Sequence, residues 1–557
     1  MAHPPDERPV PVAAGPASAA SEDSLKARGR RGRPLFRHLP LFLTLLIVLA
    51  VSLHFCLWKS GMFIDEIYTY GLANSSYMPF IGNGGQGGEH DRIDEQKLTR
   101  EDFFDYLAVT EDEVKFDVGS VYYNQVQDVH PPLYYWILNF CSSLVPGHFS
   151  KWIGLIPDLI IYLGTLVLLY ALGLELFSEP WIAAMVSLFY GLSRVGLSTM
   201  LMIRMYVLVT FLTVLLALLV IRELRSPSRL RELAVAGVIF LGLFTQYYFV
   251  FYAFFLCAAA VFVLLFRREW KAAGYFTLFS FAAVGLMLLC FPAVFSHITG
   301  NRLGPQSDAL ANLLNYSAWL GRLRYYFGQI REGLQWTVAV SLASLLWLGV
   351  GAAVRRKLTV RKGDFLFLVL LIPVIPTVFI PAIISPVLEG RYIYNIMPVC
   401  TLALGFCVML ALRHNRWKLA AKGIFLIFSV VAATGALLTV PDYIYDEHRE
   451  YNALVQAHAD APCIYITGYY AGPTQDMLQL MTFDNVYITE DPESEGLKQY
   501  LSENPDNECV VYVDVDSMWG SGFNADEVLT ELLEETDYSA SERLYRYALS
   551  DTYLLSR

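Results

Sequence analysis

Residues 61–70 read Gly61-Met62-Phe63-Ile64-Asp65-Glu66-Ile67-Tyr68-Thr69-Tyr70, so two adjacent carboxylates follow closely on the apolar segment 39–58. As a helix rising 1.5 Å per residue, that segment matches the roughly 30 Å hydrocarbon core of a bilayer. An acidic pair at the rim of a membrane helix is costly unless water, a metal ion or a substrate meets it. The stretch therefore predicts a polar site just outside the first membrane span.

The composition is that of a polytopic membrane protein. The chain has 557 residues, of which 55% are hydrophobic and only 17% are charged, and several apolar runs approach the length of a span. The net charge of −11 is unevenly distributed, because basic residues gather in short segments between apolar runs and acidic residues gather after Pro441. Scattered basic clusters of this kind indicate a membrane as partner and exclude nucleic acid.

The first 34 residues are rich in Pro, Ala and Ser and end in a basic run at 26–33. This composition predicts a disordered cytoplasmic arm. A cleaved signal peptide is not expected, because the following apolar run has span length and no small-residue cleavage site follows it. The basic arm places the N-terminus of the first span in the cytoplasm, so we expect a multi-pass protein of the cell membrane.

The predicted fold class is a polytopic α-helical membrane protein with about eleven transmembrane helices, occupying residues 35–441. The predicted spans are residues 39–58, 152–173, 181–199, 205–221, 232–247, 249–266, 272–295, 336–354, 364–385, 392–411 and 422–440.

One further apolar piece, residues 131–145, decides the topology. As a helix it would measure roughly 23 Å, which is short of the hydrocarbon core. If it crossed the bilayer, four basic clusters would face outward, whereas all four face the cytoplasm if it stays at the outer interface. We therefore predict a juxtamembrane or re-entrant helix within a long outer loop, residues 59–150. The four clusters are residues 222–231, 267–268, 355–357 and 413–422.

The tail, residues 442–557, is predicted to be a small extracytoplasmic α/β domain, because β-rich runs alternate with helical ones. Cys463 and Cys509 each open a strand-like run, and either a disulfide between them or two buried thiols fits the sequence. The expected strands are residues 463–467, 485–488, 509–513 and 544–547, and the expected helices are residues 447–457 and 525–534. A further short helix is expected at residues 100–107 of the first outer loop.

A second motif, Asp128-Val129-His130-Pro131-Pro132-Leu133-Tyr134-Tyr135, ends the first outer loop. The combination of Asp65-Glu66 after the first span with this motif resembles the GT-C glycosyltransferases, which include the protein O-mannosyltransferases and the lipid A aminoarabinose transferases. The resemblance covers roughly residues 36–441. It implies a GT-C fold and transfer of a sugar from a polyprenyl-phosphate carrier, on the outer face of the membrane, to a glycan, lipid or protein acceptor.

The resemblance also implies roles for the acidic residues and the histidine. Asp65 would be the general base of an inverting displacement, Glu66 would bind the acceptor or hold Asp65 in place, and Asp128 with His130 would line the site. The close like charges of Asp65 and Glu66 are expected to raise one of the two pKa values. An alternative is that Asp65 only caps a helix beginning at Glu66.

A lipid phosphate needs a cation at the headgroup level. Arg204, Arg302 and Arg391 are the candidates, each in a loop predicted to face outward, although a single arginine there could equally snorkel to the interface. No cofactor is certain. A divalent metal is possible, with His130 and His297 as its ligands, but two histidines without close spacing are weak evidence.

Two other functions fit part of the pattern. An O-antigen-type polymerase or ligase would centre on a large late outer loop, whereas here the first outer loop is the longest. A non-enzymatic transporter would show internal repeats and helices broken at matching places, which the sequence lacks. Asp158, a lone acid early in the second span, could pair with Arg194 or Arg204 or reach the interface. The sugar, the acceptor and the oligomeric state stay open.

Overall fold

The computed structural model describes residues 38–81, 93–110, 112–299, 312–355, 365–385, 387–414, 418–515, 522–547 and 549–557. Within these residues, seven helical segments are long and apolar enough to cross a membrane, and a bent pair of helices gives an eighth. The seven are Leu39–Trp58 (α1), Lys151–Phe177 (α6), Tyr206–Arg225 (α9), Phe249–Phe266 (α11), Trp270–Cys290 (α12), Leu366–Ile384 and Gly390–Leu410. The chain is therefore a multi-pass membrane protein, as predicted.

Each of the other predicted spans also contains a helix. The bent pair is Pro180–Gly191 (α7) and Arg194–Leu201 (α8), which meet at 61°. Leu366–Ile384 is broken at Pro373 into Leu366–Leu371 (α16) and Val374–Ile384 (α17), because proline lacks the N–H that a continuous helix requires. The remaining helices of this part are Arg229–Leu243 (α10), Ala293–Thr299 (α13), Tyr316–Gly333 (α14), Gln335–Arg355 (α15), Met397–His414 (α18) and Lys418–Leu438 (α19).

The first loop folds into short elements over the end of the helical bundle. They are Ile64–Asn74 (α2), Gln96–Thr99 (β1), Arg100–Leu107 (α3), Val118–Gln127 (α4) and Leu133–Ser143 (α5). Helix α3 occupies the predicted range, and Thr99 caps it through a hydrogen bond from the backbone N–H of Asp102. Helix α5 has 11 residues, or roughly 16 Å, so it is too short to cross a bilayer and fits a juxtamembrane helix.

Among the described residues, the tail and one strand of the first loop form a six-stranded sheet. The strands lie in the order Gln96–Thr99 (β1), Asn485–Thr489 (β3), Cys463–Ile466 (β2), Glu508–Asp514 (β4), Ser550–Ser556 (β6) and Ala540–Arg546 (β5). Strand β2 is central and parallel to both β3 and β4, while β1, β5 and β6 pair antiparallel. Strand β1 comes from the first loop, so the sheet joins two distant parts of the chain. The tail elements are His448–Gln456 (α20), Cys463–Ile466 (β2), Ala471–Gln475 (α21), Met477–Leu480 (α22), Asn485–Thr489 (β3), Glu495–Glu503 (α23), Glu508–Asp514 (β4), Ala525–Glu535 (α24), Ala540–Arg546 (β5) and Ser550–Ser556 (β6).

The two cysteines of the sheet lie on opposite faces. Cys463 packs with the apolar cluster that continues into the helical bundle, and Cys509 packs with the cluster beneath the tail's own helices. Both thiols are buried and free. Of the two alternatives that the sequence left open, the structure has the buried thiols, because side chains on opposite faces of a sheet cannot meet.

The start of the tail is fastened to the end of α1. The backbone N–H of Ser60 donates to the carbonyl oxygen of Ile444 at 2.8 Å, and the indole N–H of Trp58 donates to Asp446 at 2.7 Å. Arg194, at the start of α8, forms an ion pair of 2.5 Å with Asp442. These contacts fix the tail beside the acidic pair that follows α1.

Candidate active site

Asp65 lies in the first turn of α2, where it faces two arginines from distant parts of the chain. Its Oδ2 is 3.1 Å from Nη1 of Arg391, and its Oδ1 is 3.6 Å from Nη1 of Arg204. The helix begins at Ile64 and its N-cap is Phe63, so Asp65 is not the cap residue and the capping alternative is wrong. The carboxylate keeps 18% of its surface exposed, which leaves it reachable from outside.

The two arginines set the acidity of Asp65. Burial alone would raise the pKa of this carboxyl, but the charges of Arg204 and Arg391 outweigh burial and hold the pKa below its ordinary value. The expectation that repulsion from Glu66 would raise it is therefore wrong for Asp65. Adjacent residues of a helix project about 100° apart, so the two carboxylates face different partners.

Glu66 is fully buried and belongs to an internal network. Its Oε2 accepts hydrogen bonds from Nζ of Lys59 at 3.0 Å and from the backbone N–H of Phe63 at 2.7 Å, while its Oε1 accepts from the backbone N–H of Ile203 at 2.9 Å. Lys59 is equally buried and also donates to the carbonyl oxygen of Tyr443 at 2.7 Å. Such a residue has no surface on which to bind an acceptor, but it ties α2 to the segment that carries Arg204.

Arg204 lies in the break between α8 and α9, where the chain leaves helical geometry at Met202 and Ile203. Its Nη1 donates to the backbone oxygen of Asp65 at 2.6 Å, in addition to facing the side chain. Arg391 lies in a 3₁₀ turn, Gly390–Ile396, and its guanidinium is 5.2 Å from the ring centre of Phe63. Both side chains are largely buried, so they are held in place and do not snorkel freely.

Asp128 and His130 complete this cluster. Oδ2 of Asp128 is 2.7 Å from Nδ1 of His130, and Nε2 of the same ring is 3.5 Å from Nη2 of Arg204. A ring that carries its proton on Nδ1 would donate to Asp128 and accept from Arg204. Burial would raise the pKa of Asp128, but His130 and Arg204 outweigh burial and hold it below its ordinary value. The second motif is thus joined to the first through Arg204.

The other predicted ligands lie elsewhere. His297 places Nδ1 2.8 Å from the hydroxyl of Tyr247 and Nε2 3.2 Å from the carbonyl oxygen of Val126, so protein atoms meet both ring nitrogens. Within the described part of the chain, no group of three or more His, Cys, Asp or Glu side chains is arranged to hold a metal. Arg302 lies outside the described residues.

Asp158 pairs with neither arginine. Its Oδ1 accepts a hydrogen bond of 2.8 Å from the hydroxyl of Tyr134, the first tyrosine of the second motif, in a fully buried position. Arg194 instead binds Asp442. The role of this acid is to anchor α5 against α6, which keeps the second motif in place.

Sequence reasoning did not identify Lys59, Phe63 or Tyr443 as part of this site. Lys59 ends the first span and precedes Glu66 by seven residues, which is two helical turns in an unbroken helix. Here the helix ends at Trp58 and the next helix begins at Ile64, so the ion pair between Lys59 and Glu66 spans the turn that joins the two helices. A lysine that ends an apolar run just before an acidic pair was the available signal.

The fold and the cluster together define a polytopic helical membrane protein with a charged, partly exposed site built from four separated segments. No protein-family model and no curated protein matches the chain in sequence. Solved structures to which it is similar include ArnT from Cupriavidus metallidurans in the apo state, the arabinosyltransferase EmbB from Mycobacterium smegmatis, and the Archaeoglobus fulgidus oligosaccharyltransferase tethered with an acceptor peptide.

The similarity is distant in each case. ArnT shares 12% identity with a TM-score of 0.46 and is matched over 76% of this chain and 87% of its own. EmbB shares 12% identity with a TM-score of 0.38 and is matched over 82% of this chain and 40% of its own. The oligosaccharyltransferase shares 10% identity with a TM-score of 0.37 and is matched over 85% of this chain and 69% of its own.

Proposed function

We propose that the chain is a membrane glycosyltransferase that moves a sugar from a polyprenyl-phosphate carrier to an acceptor hydroxyl, with inversion at the anomeric carbon. One observation carries the proposal: the carboxylate of Asp65 lies between Arg204 and Arg391, beside the Asp128–His130 pair. The transfer needs a proton acceptor next to cations that can meet a phosphate, and this cluster supplies both.

Asp65 is the general base in this proposal. Its lowered pKa leaves it ionised at neutral pH, so it can take the proton of the acceptor hydroxyl as the oxygen attacks the anomeric carbon. The bond between that carbon and the phosphate oxygen breaks on the opposite side, and its electron pair leaves with the polyprenyl phosphate. Asp65 then returns the proton to water.

Arg391 and Arg204 are the proposed phosphate ligands. Both guanidinium groups face Asp65, which compensates their charge. A phosphate that draws one guanidinium toward itself would remove part of this compensation and raise the basicity of Asp65 when the donor is in place. Arg302 is the proposed third cation.

Glu66, Asp128 and His130 have supporting roles in the proposal. Glu66 and Lys59 hold the first turn of α2 against Ile203, and so set the distance between Asp65 and Arg204. Asp128 orients the ring of His130, whose Nε2 meets Arg204. His130 is the member of this pair that could contact the sugar or the phosphate, since a fifth of its side chain is exposed.

The experiment measures incorporation from radiolabelled polyprenyl-phosphate sugars, tried one at a time, into membranes that carry the wild type or Asp65→Asn. Loss of the general base should lower the rate by about 10²–10⁴-fold at equal protein level. Asp112→Asn is the matched control, since this carboxylate of the same loop is 90% exposed, and it should leave the rate unchanged. If no donor gives a product that depends on Asp65, the proposal fails and a transporter becomes the better interpretation.

A further inference from the structure

A groove outside the candidate active site lies at the end of α1. Its volume is about 530 Å³, and it is lined by His54, Leu57, Trp58 and Arg449. The first three residues are spaced i, i+3 and i+4, so they share one face of the helix. Because α1 is long and apolar enough to cross a membrane, its last turn belongs at the boundary between lipid and water, where tryptophan is common.

Two cations lie at this end of α1, Arg449 in the lining of the groove and Lys151 beside it. Arg449, near the start of α20, keeps 60% of its side chain exposed although it donates to Oγ of Ser60 at 2.7 Å and to the carbonyl oxygen of Trp58 at 3.1 Å. Lys151, the first residue of α6, donates to the carbonyl oxygens of Leu57 and Lys59 beside it.

One acidic side chain offsets these two cations. Asp446 is 3.4 Å from Nε of Arg449, in an ion pair that is more than half exposed on both sides, and such pairs are weak. Asp446 also accepts the indole N–H of Trp58 at 2.7 Å. The groove therefore places an arginine whose ion pair is weak beside an apolar side chain, Leu57, which is 68% exposed.

We propose that this groove binds the phosphate headgroup of an anionic membrane lipid. Arg449 would meet the phosphate, because a guanidinium forms paired hydrogen bonds with phosphate oxygens, and Lys151 would add a second charge. The exposed face of Leu57 would pack against the lipid chain. The groove's position at the end of a span favours a lipid over a free anion, and the proposal does not depend on a transferase activity.

The test titrates the detergent-purified full chain with phosphatidylglycerol and counts bound lipids by native mass spectrometry. Each cation near a membrane surface contributes about a fivefold gain in affinity for an anionic lipid, so Arg449→Gln should weaken the tightest site by about fivefold and Arg449→Gln with Lys151→Gln by about 25-fold. Phosphatidylcholine should bind without this dependence. Inorganic phosphate at millimolar concentration should not displace the lipid.

Two variants separate binding from a structural role, since both cations also cap the carbonyl end of α1. Arg449→Lys keeps the charge but loses the forked hydrogen bonds, and it should bind phosphatidylglycerol within about twofold of the wild type. Lys271→Gln removes a cation beside the exposed Trp270 at the start of α12, and it should change nothing. The proposal is overturned if the double variant binds phosphatidylglycerol as the wild type does, if phosphatidylcholine binds equally, or if free phosphate displaces the lipid.

Discussion

Replacing Lys59 by methionine tests the network that positions the acidic pair. Methionine fills a similar volume but leaves Glu66 buried without its cation, while the backbone donors at Phe63 and Ile203 remain. Breaking a buried ion pair by removing one partner costs about 3–5 kcal/mol. The lost hydrogen bond to Tyr443 adds about 1 kcal/mol.

The assay is the melting temperature of the purified chain in detergent, followed by tryptophan fluorescence. At pH 7 we expect Lys59→Met to melt roughly 5–10 °C below the wild type. The double variant Lys59→Met with Glu66→Gln has no buried charge, so it should recover most of the loss.

The control is Lys115→Met, which removes an exposed pair with Asp112 and should cost less than about 1 kcal/mol. A Lys59→Met protein as stable as the wild type would refute the reasoning. So would a double variant as unstable as the single one, because the cost would then lie in the lost lysine and not in the uncompensated carboxylate.

Two further outcomes are expected. Arg391→Gln should lower the kcat/KM of sugar transfer by about 10- to 100-fold. It should also move the acidic limb of the pH–rate profile to higher pH, because the adjacent Asp65 loses a cation that lowers its pKa. An acidic limb at the wild-type pH would contradict the contact between Arg391 and Asp65. In the tail, burial lowers the pKa of His448 to about 4, with Lys59 adding to the effect, and burial raises the pKa of Asp476 to about 6 against three hydroxyl donors. His448 therefore contributes about 3 kcal/mol of stability that is present above about pH 6.5 and is lost as the pH falls toward 4. Asp476 contributes about 3 kcal/mol of stability that is present below about pH 3.9 and is lost as the pH rises toward 6. Between pH 4 and 6 these two contributions oppose each other. His448→Phe should therefore lose stability as the pH rises, and Asp476→Asn should lose stability as the pH falls. If the melting temperature changes with pH in the same direction in both variants, the two groups are not the source of the pH dependence.

The helices of the membrane part could be predicted because the signal is local. A run of apolar residues predicts a span without knowledge of its neighbours, and all eleven predicted segments contain a helix. The sequence also predicted that the loops carrying Asp65, Arg204 and Arg391 share one side, because successive spans alternate in direction, and in the structure the three side chains meet. The alternation of spans does not predict which side chains touch. The sequence suggested that Glu66 could raise the pKa of Asp65, whereas the contacts with Arg204 and Arg391 lower it.

The sheet shows where local signals end. Strand β1 has only four residues, Gln96–Thr99, and three of them are polar, so nothing in its sequence separates it from a loop. It becomes a strand because β3, Asn485–Thr489, offers it an open edge from a distant part of the chain.

 Gln96 lies opposite Ile488 and Thr99 lies opposite Asn485, and such long-range pairing is decided by the folded tail and not by the residues of β1.

These long-range contacts bear on the candidate active site, because α2 is held at both ends by parts of the chain that the sequence assigned to separate domains. At its start, Lys59 joins Glu66 to Tyr443 of the tail. Near its end, Gly71 lets the ring of Tyr106 approach so closely that an added Cβ would lie 1.9 Å from the ring. Tyr106 belongs to α3, which directly follows β1, the strand that joins the sheet of the tail. The tail and the first loop are therefore one support for the helix that presents Asp65, and the geometry of the site depends on both.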